Sequence, residues 1–283
     1  MGIIGGLIAV LLYECCVGLF WGELRAKKFP GHNGSNSSLL VGEYSGGRFY
    51  HNYNKISHMI VAGHTGYGKT NFLKVLIKQL LGDVILLDLK GGKDYDFNVT
   101  ATDIESCERW LSWVHKELRE RMNDRSGKKY RRIFVVIDEA AELLVPSYMS
   151  GRSEEAKVYQ RCLWHCSEIA RLGRSFKISL VWCTQYPVSD VLPRQIKQNA
   201  ECRVVFRLPT GYASEVALDE VGAEELPWGV AGRCIYKLDR KYEVQIYESV
   251  NENDGEKGWF CENVKVGDSE SSGSRSDYRF GEV

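Results

Sequence analysis

Apolar residues recur along this chain in two spacings. Short, mostly apolar runs at residues 56–62, 133–139 and 177–183 have the length and content of buried strands, and a further run at 83–90 ends in charge. Between them the spacing lengthens. Residues 71–81 carry apolar side chains densely enough for a buried helix. Ile104, Cys107, Leu111, Val114, Leu118 and Met122 repeat near the helical period, and Thr102-Asp103-Ile104-Glu105 ahead of them has the spacing of a capping box. Residues 153–172 read as a long helix stopped at Gly173. Val204-Val205-Phe206 predicts one more strand, and 233–238 with 242–247 predict a hairpin turning at Asp239-Arg240-Lys241. Residues 39–53 give shorter strand pieces broken by Gly42 and Gly46-Gly47. Strands alternating with helices and closing on polar groups mean an α/β domain. Its sheet is mainly parallel, and its site lies along the C-terminal edge.

The two ends of the chain depart from this alternation. Residues 2–21 are almost entirely apolar, with Glu14 the exception, and are long enough to cross a hydrocarbon core. Arg25, Lys27 and Lys28 follow this stretch and no basic residue precedes it. That predicts a single-pass anchor over 1–28 with the bulk of the chain in the cytoplasm. Residues 29–38 (Pro, Gly, Asn, Ser) read as a linker, 39–250 as the domain, and 251–283 as a polar, disordered tail.

Composition narrows the chemistry. Formal net charge is +0, so any nucleic-acid binding must come from local basic surface and not from bulk attraction. One such cluster, Arg125, Lys128, Lys129, Arg131 and Arg132, reads either as a solvated loop or as a contact for a phosphate backbone. The nine cysteines lack paired metal spacing, which points to reduced thiols in a cytosolic domain. Cys162, His165 and Cys166 come closest to a metal cluster. However, Val158, Cys162, Cys166 and Ile169 share one helical stripe, which favours core packing.

Chemistry enters at Gly63-His64-Thr65-Gly66-Tyr67-Gly68-Lys69-Thr70, which fits G-x-x-x-x-G-K-[ST] at every fixed position. A predicted strand precedes it and a predicted helix follows. In that context the glycines let backbone N–H groups face a phosphate chain, and the helix N-terminus adds its dipole. Lys69 is expected to bridge the outer phosphates and the Thr70 hydroxyl to hold Mg²⁺. The eight residues Gly63, His64, Thr65, Gly66, Tyr67, Gly68, Lys69 and Thr70 are the expected ATP cradle. The run 133–139 closes on Asp138-Glu139, a Walker B arrangement. Asp138 is expected in the Mg²⁺ shell, and Glu139 is expected to orient or deprotonate the attacking water.

Several further segments resemble the motor domain of the FtsK/SpoIIIE/HerA family of hexameric DNA translocases. They are Asn54-Lys55-Ile56-Ser57-His58 before the P-loop, Asp88-Leu89-Lys90-Gly91-Gly92, Val136-Ile137-Asp138-Glu139-Ala140-Ala141-Glu142-Leu143, Ile169-Ala170-Arg171-Leu172-Gly173-Arg174, Thr184-Gln185-Tyr186-Pro187, Gly222-Ala223-Glu224-Glu225-Leu226 and Gly232-Arg233-Cys234-Ile235-Tyr236. The resemblance implies a RecA-like P-loop NTPase core, a ring of subunits and ATP bound between neighbours. It implies that Gln185 senses the γ-phosphate and that an arginine acts in trans. Arg174 is the first candidate and Arg171 the second, with Arg203 and Arg207 still open. The chain departs from chromosome-segregation members in showing one membrane segment and no C-terminal winged helix.

The expected function is therefore a membrane-anchored ATP-driven DNA translocase of the conjugative coupling type, binding DNA without reading its sequence and partnered by a relaxase or portal. The alternatives are a viral genome-packaging ATPase and a protein-secretion ATPase.

Overall fold

The computed structural model describes residues 27–31 and 35–250. The predicted membrane stretch at 2–21 and the predicted tail at 251–283 lie outside the described residues. Among the described residues, no helix is long and apolar enough to cross a membrane.

One sheet organises the domain. Its strands are β1 (Leu39–Tyr44), β2 (Gly47–His51), β3 (Met59–Ala62), β4 (Asp83–Asp88), β5 (Ile133–Asp138), β6 (Ile178–Thr184), β7 (Cys202–Phe206), β8 (Arg233–Lys237) and β9 (Lys241–Ile246). They stand in the order β2-β1-β9-β8-β7-β3-β6-β5-β4. The strands from β7 to β4 are mutually parallel. From β7 outward through β8, β9, β1 and β2 every pairing is antiparallel. Parallel pairing needs helical crossovers, and the helices follow in turn: α1 (Lys69–Ile77), α2 (Ile104–Asn123), α3 (Glu154–Leu172), α4 (Arg194–Asn199) and α5 (Gly211–Leu218).

The strands of the parallel part are buried on both faces, which is why they read as unbroken apolar runs. Alternate residues enter different cores. Met59, Val61, Leu86, Phe134 and Val136 pack with Phe72, Leu73, Leu76 and Ile77 of α1. Ile60, Ile85, Leu87, Val135 and Ile137 pack on the other face with Cys107, Leu111, Val114 and Leu118 of α2 and Cys162, Cys166 and Ile169 of α3. Cys162 and Cys166 are thus fully buried in apolar contact, and His165 pairs ring to ring with His115, Nδ1 to Nδ1 at 2.9 Å.

Local chemistry sets the boundaries. The cap of α2 is Asp103 and not Thr102: its Oδ1 accepts the Ser106 N–H at 2.8 Å and its Oδ2 the Ser106 hydroxyl at 2.8 Å. A carboxylate there also meets the positive end of the helix dipole, which a threonine hydroxyl does not. Ser153 caps α3 through the Ala156 N–H. The stretch read as a linker is tied at both described ends. Phe29 N–H donates to the Glu248 carbonyl at 2.9 Å. The Asn36 side chain exchanges two hydrogen bonds with the Leu81 backbone, at 2.6 and 2.9 Å.

Register then aligns the strand ends that matter. Ala62 pairs with Thr184 on one side and Val205 on the other, and Asp88 pairs with Asp138. The P-loop, both acids and Gln185 therefore leave the sheet along one edge, at the point where β3 lies between strands that come later in the chain.

Candidate active site

Backbone conformation builds the phosphate cradle. Gly63, Gly66 and Gly68 have φ of 155°, 84° and 103°, values that side-chain-bearing residues rarely adopt. Gly63 also has no room: an added Cβ would lie 2.5 Å from Phe206 Cβ. The loop is anchored by the His64 N–H to the Arg207 carbonyl at 3.0 Å and by the Gly232 N–H to the Tyr67 carbonyl at 2.9 Å. Lys69 opens α1 and is buried, with its Nζ donating to the His64 carbonyl at 3.2 Å. Burial pushes its pKa down, against the pull of Glu139 and Asp138. A buried ammonium held by one carbonyl at the mouth of a positive-φ loop fits a polyphosphate. Thr70 follows it in the first turn of α1.

The acids stand opposite. Asp138 ends β5 and Glu139 is the next residue; both are buried. Asp138 Oδ2 accepts the Tyr95 hydroxyl at 2.7 Å. Burial raises its pKa, with the Tyr95 hydrogen bond working the other way. Burial and the neighbouring Asp138 drive the Tyr95 hydroxyl strongly upward, so it stays a donor. Glu139 has φ 63° and ψ 69°, left-handed backbone that costs a non-glycine residue about 1 kcal/mol or more. That kink turns the chain from β5 into a short 3₁₀ helix, Ala140–Leu143, and aims the carboxylate along the strand ends. Its Oε1 accepts the Thr184 hydroxyl at 3.1 Å and the Gln185 N–H at 3.2 Å, while its Oε2 takes the Lys90 ammonium at 2.9 Å.

Lys90 is positioned by Asp88, whose carboxylate accepts the N–H groups of Lys90 and Gly92, each at 2.9 Å. Burial opposes the charge on Lys90, but the Glu139 hydrogen bond and the two nearby carboxylates overcome it and raise its pKa. Gln185 reaches the P-loop directly: its Oε1 accepts the Thr65 hydroxyl at 2.7 Å. The geometry therefore brings together Gly63 to Thr70, Asp138, Glu139 and Gln185, and adds Lys90, Tyr95 and Thr184.

The arginines separate into distinct environments. Arg203 Nη1 donates to the Ala217 carbonyl at 2.9 Å and pairs with Asp219 at 2.8 Å, while Nη2 donates to the Lys197 carbonyl at 3.2 Å. These bonds bind α4 and α5 to β7, so Arg203 is engaged inside the domain. Arg171 pairs with Glu168 at 2.7 Å, and Arg174 pairs with Glu201. Arg174 lies in a 3₁₀ turn, Gly173–Phe176, at the start of β6. The seven residues of β6, at about 3.3 Å each, separate it from Gln185 by roughly 20 Å. It stays at the edge opposite its own P-loop. Arg207 stacks on Trp228, 4.2 Å from guanidinium carbon to ring centroid.

A family model for the FtsK/SpoIIIE family matches residues 23–126. The DNA translocase FtsK of Helicobacter pylori is 29% identical over 235 residues, covering 72% of this chain and 26% of that protein. That of Tropheryma whipplei is 26% identical over 221 residues, covering 64% of this chain and 28% of that protein. The chain thus spans about a quarter of the length of these curated relatives. Among solved structures, the pCW3 conjugation coupling protein TcpA with ATPγS has a TM-score of 0.68 at 27% identity, covering 78% of this chain and 68% of that one. The cytoplasmic domain of the type VII secretion ATPase EccC of Thermomonospora curvata has a TM-score of 0.60 at 20% identity, covering 78% of this chain and 30% of that one, a likeness of fold.

Proposed function

We propose that this chain, which belongs to the FtsK/SpoIIIE family, is the motor of an ATP-driven DNA translocase of the conjugative coupling type. The observation that carries the reading is the constellation around Glu139. A buried carboxylate sits between Lys90, Thr184 and the Gln185 N–H, and Gln185 is hydrogen-bonded to Thr65 of the P-loop.

Each side chain has a task in that reading. The N–H groups of the glycine loop and the Lys69 ammonium bind and orient the phosphates. Thr70 and Asp138 would hold Mg²⁺, and Tyr95 fixes the Asp138 carboxylate for that role. The ion, when bound, neutralises charge on the phosphates. Glu139 orients a water in line with the outer phosphorus and accepts its proton. Gln185 links the occupied P-loop to the end of β6, so a change at the phosphates passes into that strand. Arg174, at the far edge of its own sheet, would serve the site of the next subunit in a ring, with the site shared between neighbours.

Conjugative DNA transfer is favoured over protein export by the likeness to the coupling protein TcpA at 27% identity; the likeness to EccC is one of fold alone. A hexameric ring, a relaxase or portal partner and a membrane anchor at 2–21 belong to the same proposal. Turnover of ATP by the full chain in detergent or lipid, with and without DNA, tests it. DNA of any sequence should stimulate turnover. An assembled ring indifferent to single- and double-stranded DNA would move the reading to export.

A further inference from the structure

We infer that Trp228, backed by Arg207, is the platform on which the adenine ring of the bound nucleotide stacks. The inference rests on the P-loop as a phosphate cradle and extends that site to the other end of the nucleotide.

Trp228 keeps 78% of its surface exposed, although a large indole in solvent contributes nothing to the fold. The Arg207 guanidinium lies over the ring, 4.2 Å from the centroid, and accounts for only a minor part of its surface. Arg207 and the loop that carries Trp228 are each tied to the P-loop backbone. The carbonyl of Arg207 accepts the His64 N–H at 3.0 Å, and Gly232, four residues after Trp228 in the same loop, donates to the Tyr67 carbonyl at 2.9 Å. The contact leaves no slack: an added Cβ on Gly68 would lie 2.9 Å from the Gly232 nitrogen. Arg207 itself follows β7, the strand beside β3, and Phe206 at the end of β7 packs on Gly63. The loops that carry the two stacked residues therefore both join the loop that faces the phosphates.

A nucleotide reaches from its phosphates to its base through one ribose. An aromatic face anchored beside the phosphate cradle, open to solvent and polarised by a guanidinium on its other side, suits a flat purine. Among the described residues, neither the core clusters nor the catalytic constellation includes Trp228.

The test separates base from phosphates. The full chain and its Trp228→Ala and Trp228→Phe variants are titrated calorimetrically with a non-hydrolysable ATP analogue and, separately, with inorganic tripolyphosphate. Trp228→Ala should weaken the analogue by about tenfold and leave tripolyphosphate within about twofold, and Trp228→Phe should recover most of the loss. An unchanged affinity for the analogue overturns the proposal, and so does an equal loss for both probes, which would mean that the loop merely shapes the P-loop. If the unaltered chain binds neither probe, the phosphate reading fails and the base platform with it.

Discussion

Lys90 Nζ lies 2.9 Å from Glu139 Oε2, and it is the one ammonium in hydrogen-bond contact with that carboxylate among the described residues. The pair joins the loop after β4 to the residue after β5, two strands whose ends are aligned as Asp88 and Asp138. Glu139 is buried, whereas the Lys90 side chain is 36% exposed and partly screened. Lys90→Met should destabilise the chain by about 1–2 kcal/mol, because it leaves a buried carboxylate without its counter-charge. In a Glu139→Gln background the same change should cost less than half as much. Urea midpoints of the four proteins measure the coupling, and equal costs in both backgrounds would remove the pair from the account.

Glu139→Gln should keep nucleotide affinity and slow hydrolysis by about a hundredfold or more, since the amide still accepts from Thr184 and Gln185 but takes no proton from water. Lys69→Ala should lose nucleotide binding itself. Equilibrium titration beside single-turnover hydrolysis distinguishes the two, and normal turnover in Glu139→Gln would take that residue out of the chemistry.

Asp138 carries a pH signature. Burial raises its pKa, so between the ordinary carboxylate range and the raised value the folded chain binds more protons than the unfolded chain, and stability falls as pH rises through that window. Ionised Asp138 is then a standing cost at neutral pH. Asp138→Asn, which keeps an acceptor for the Tyr95 hydroxyl, should be more stable than the parent at pH 7, and the gain should vanish below the ordinary carboxylate range. Mg²⁺-dependent turnover should be lost. Denaturant melts of both proteins across that pH range check the sign; a variant that is less stable at pH 7 contradicts it.

Tyr95→Phe deletes the hydroxyl that holds Asp138 at 2.7 Å. The Mg²⁺ concentration for half-maximal turnover should rise by about tenfold, while nucleotide affinity without Mg²⁺ stays unchanged. A loss of Mg²⁺-free affinity would mean that Tyr95 acts on the P-loop instead.

Arg174→Ala should abolish turnover, yet mixing it with Glu139→Gln should restore activity, because an interface between the two supplies one intact Glu139 and one intact Arg174. No restoration on mixing would contradict an arginine acting in trans.

Site features made of residues adjacent in the chain are legible in the sequence. The P-loop spacing, the acids that end the apolar run at 133–139 and the glycine that stops the long helix are local patterns, and local patterns survive in a sequence. Lys90 and Tyr95 were not legible as site residues. They sit in the irregular loop between β4 and α2, and only the pairing of β4 with β5 brings them to Asp138 and Glu139. Thr184 became a ligand of Glu139 through the same sheet. Arg203 is a candidate finger only through the family resemblance, and its burial against the Ala217 carbonyl and Asp219 gives it another task. The short helices α4 and α5 were missed because six and eight residues complete too few turns for a periodic pattern to emerge. The capping box slipped by one residue because Thr102 and Asp103 are both good caps, and only backbone geometry chooses between them.

The central claim is that hydrolysis at the Lys69–Glu139 site moves the protein along DNA. It is tested most directly by displacement of streptavidin from biotinylated single- and double-stranded DNA. With ATP and Mg²⁺ the full chain should strip streptavidin from at least one of the two DNAs far faster than without ATP, and Lys69→Ala and Glu139→Gln should not. Release at the same slow rate with and without ATP, by a protein that is turning over ATP, would contradict it.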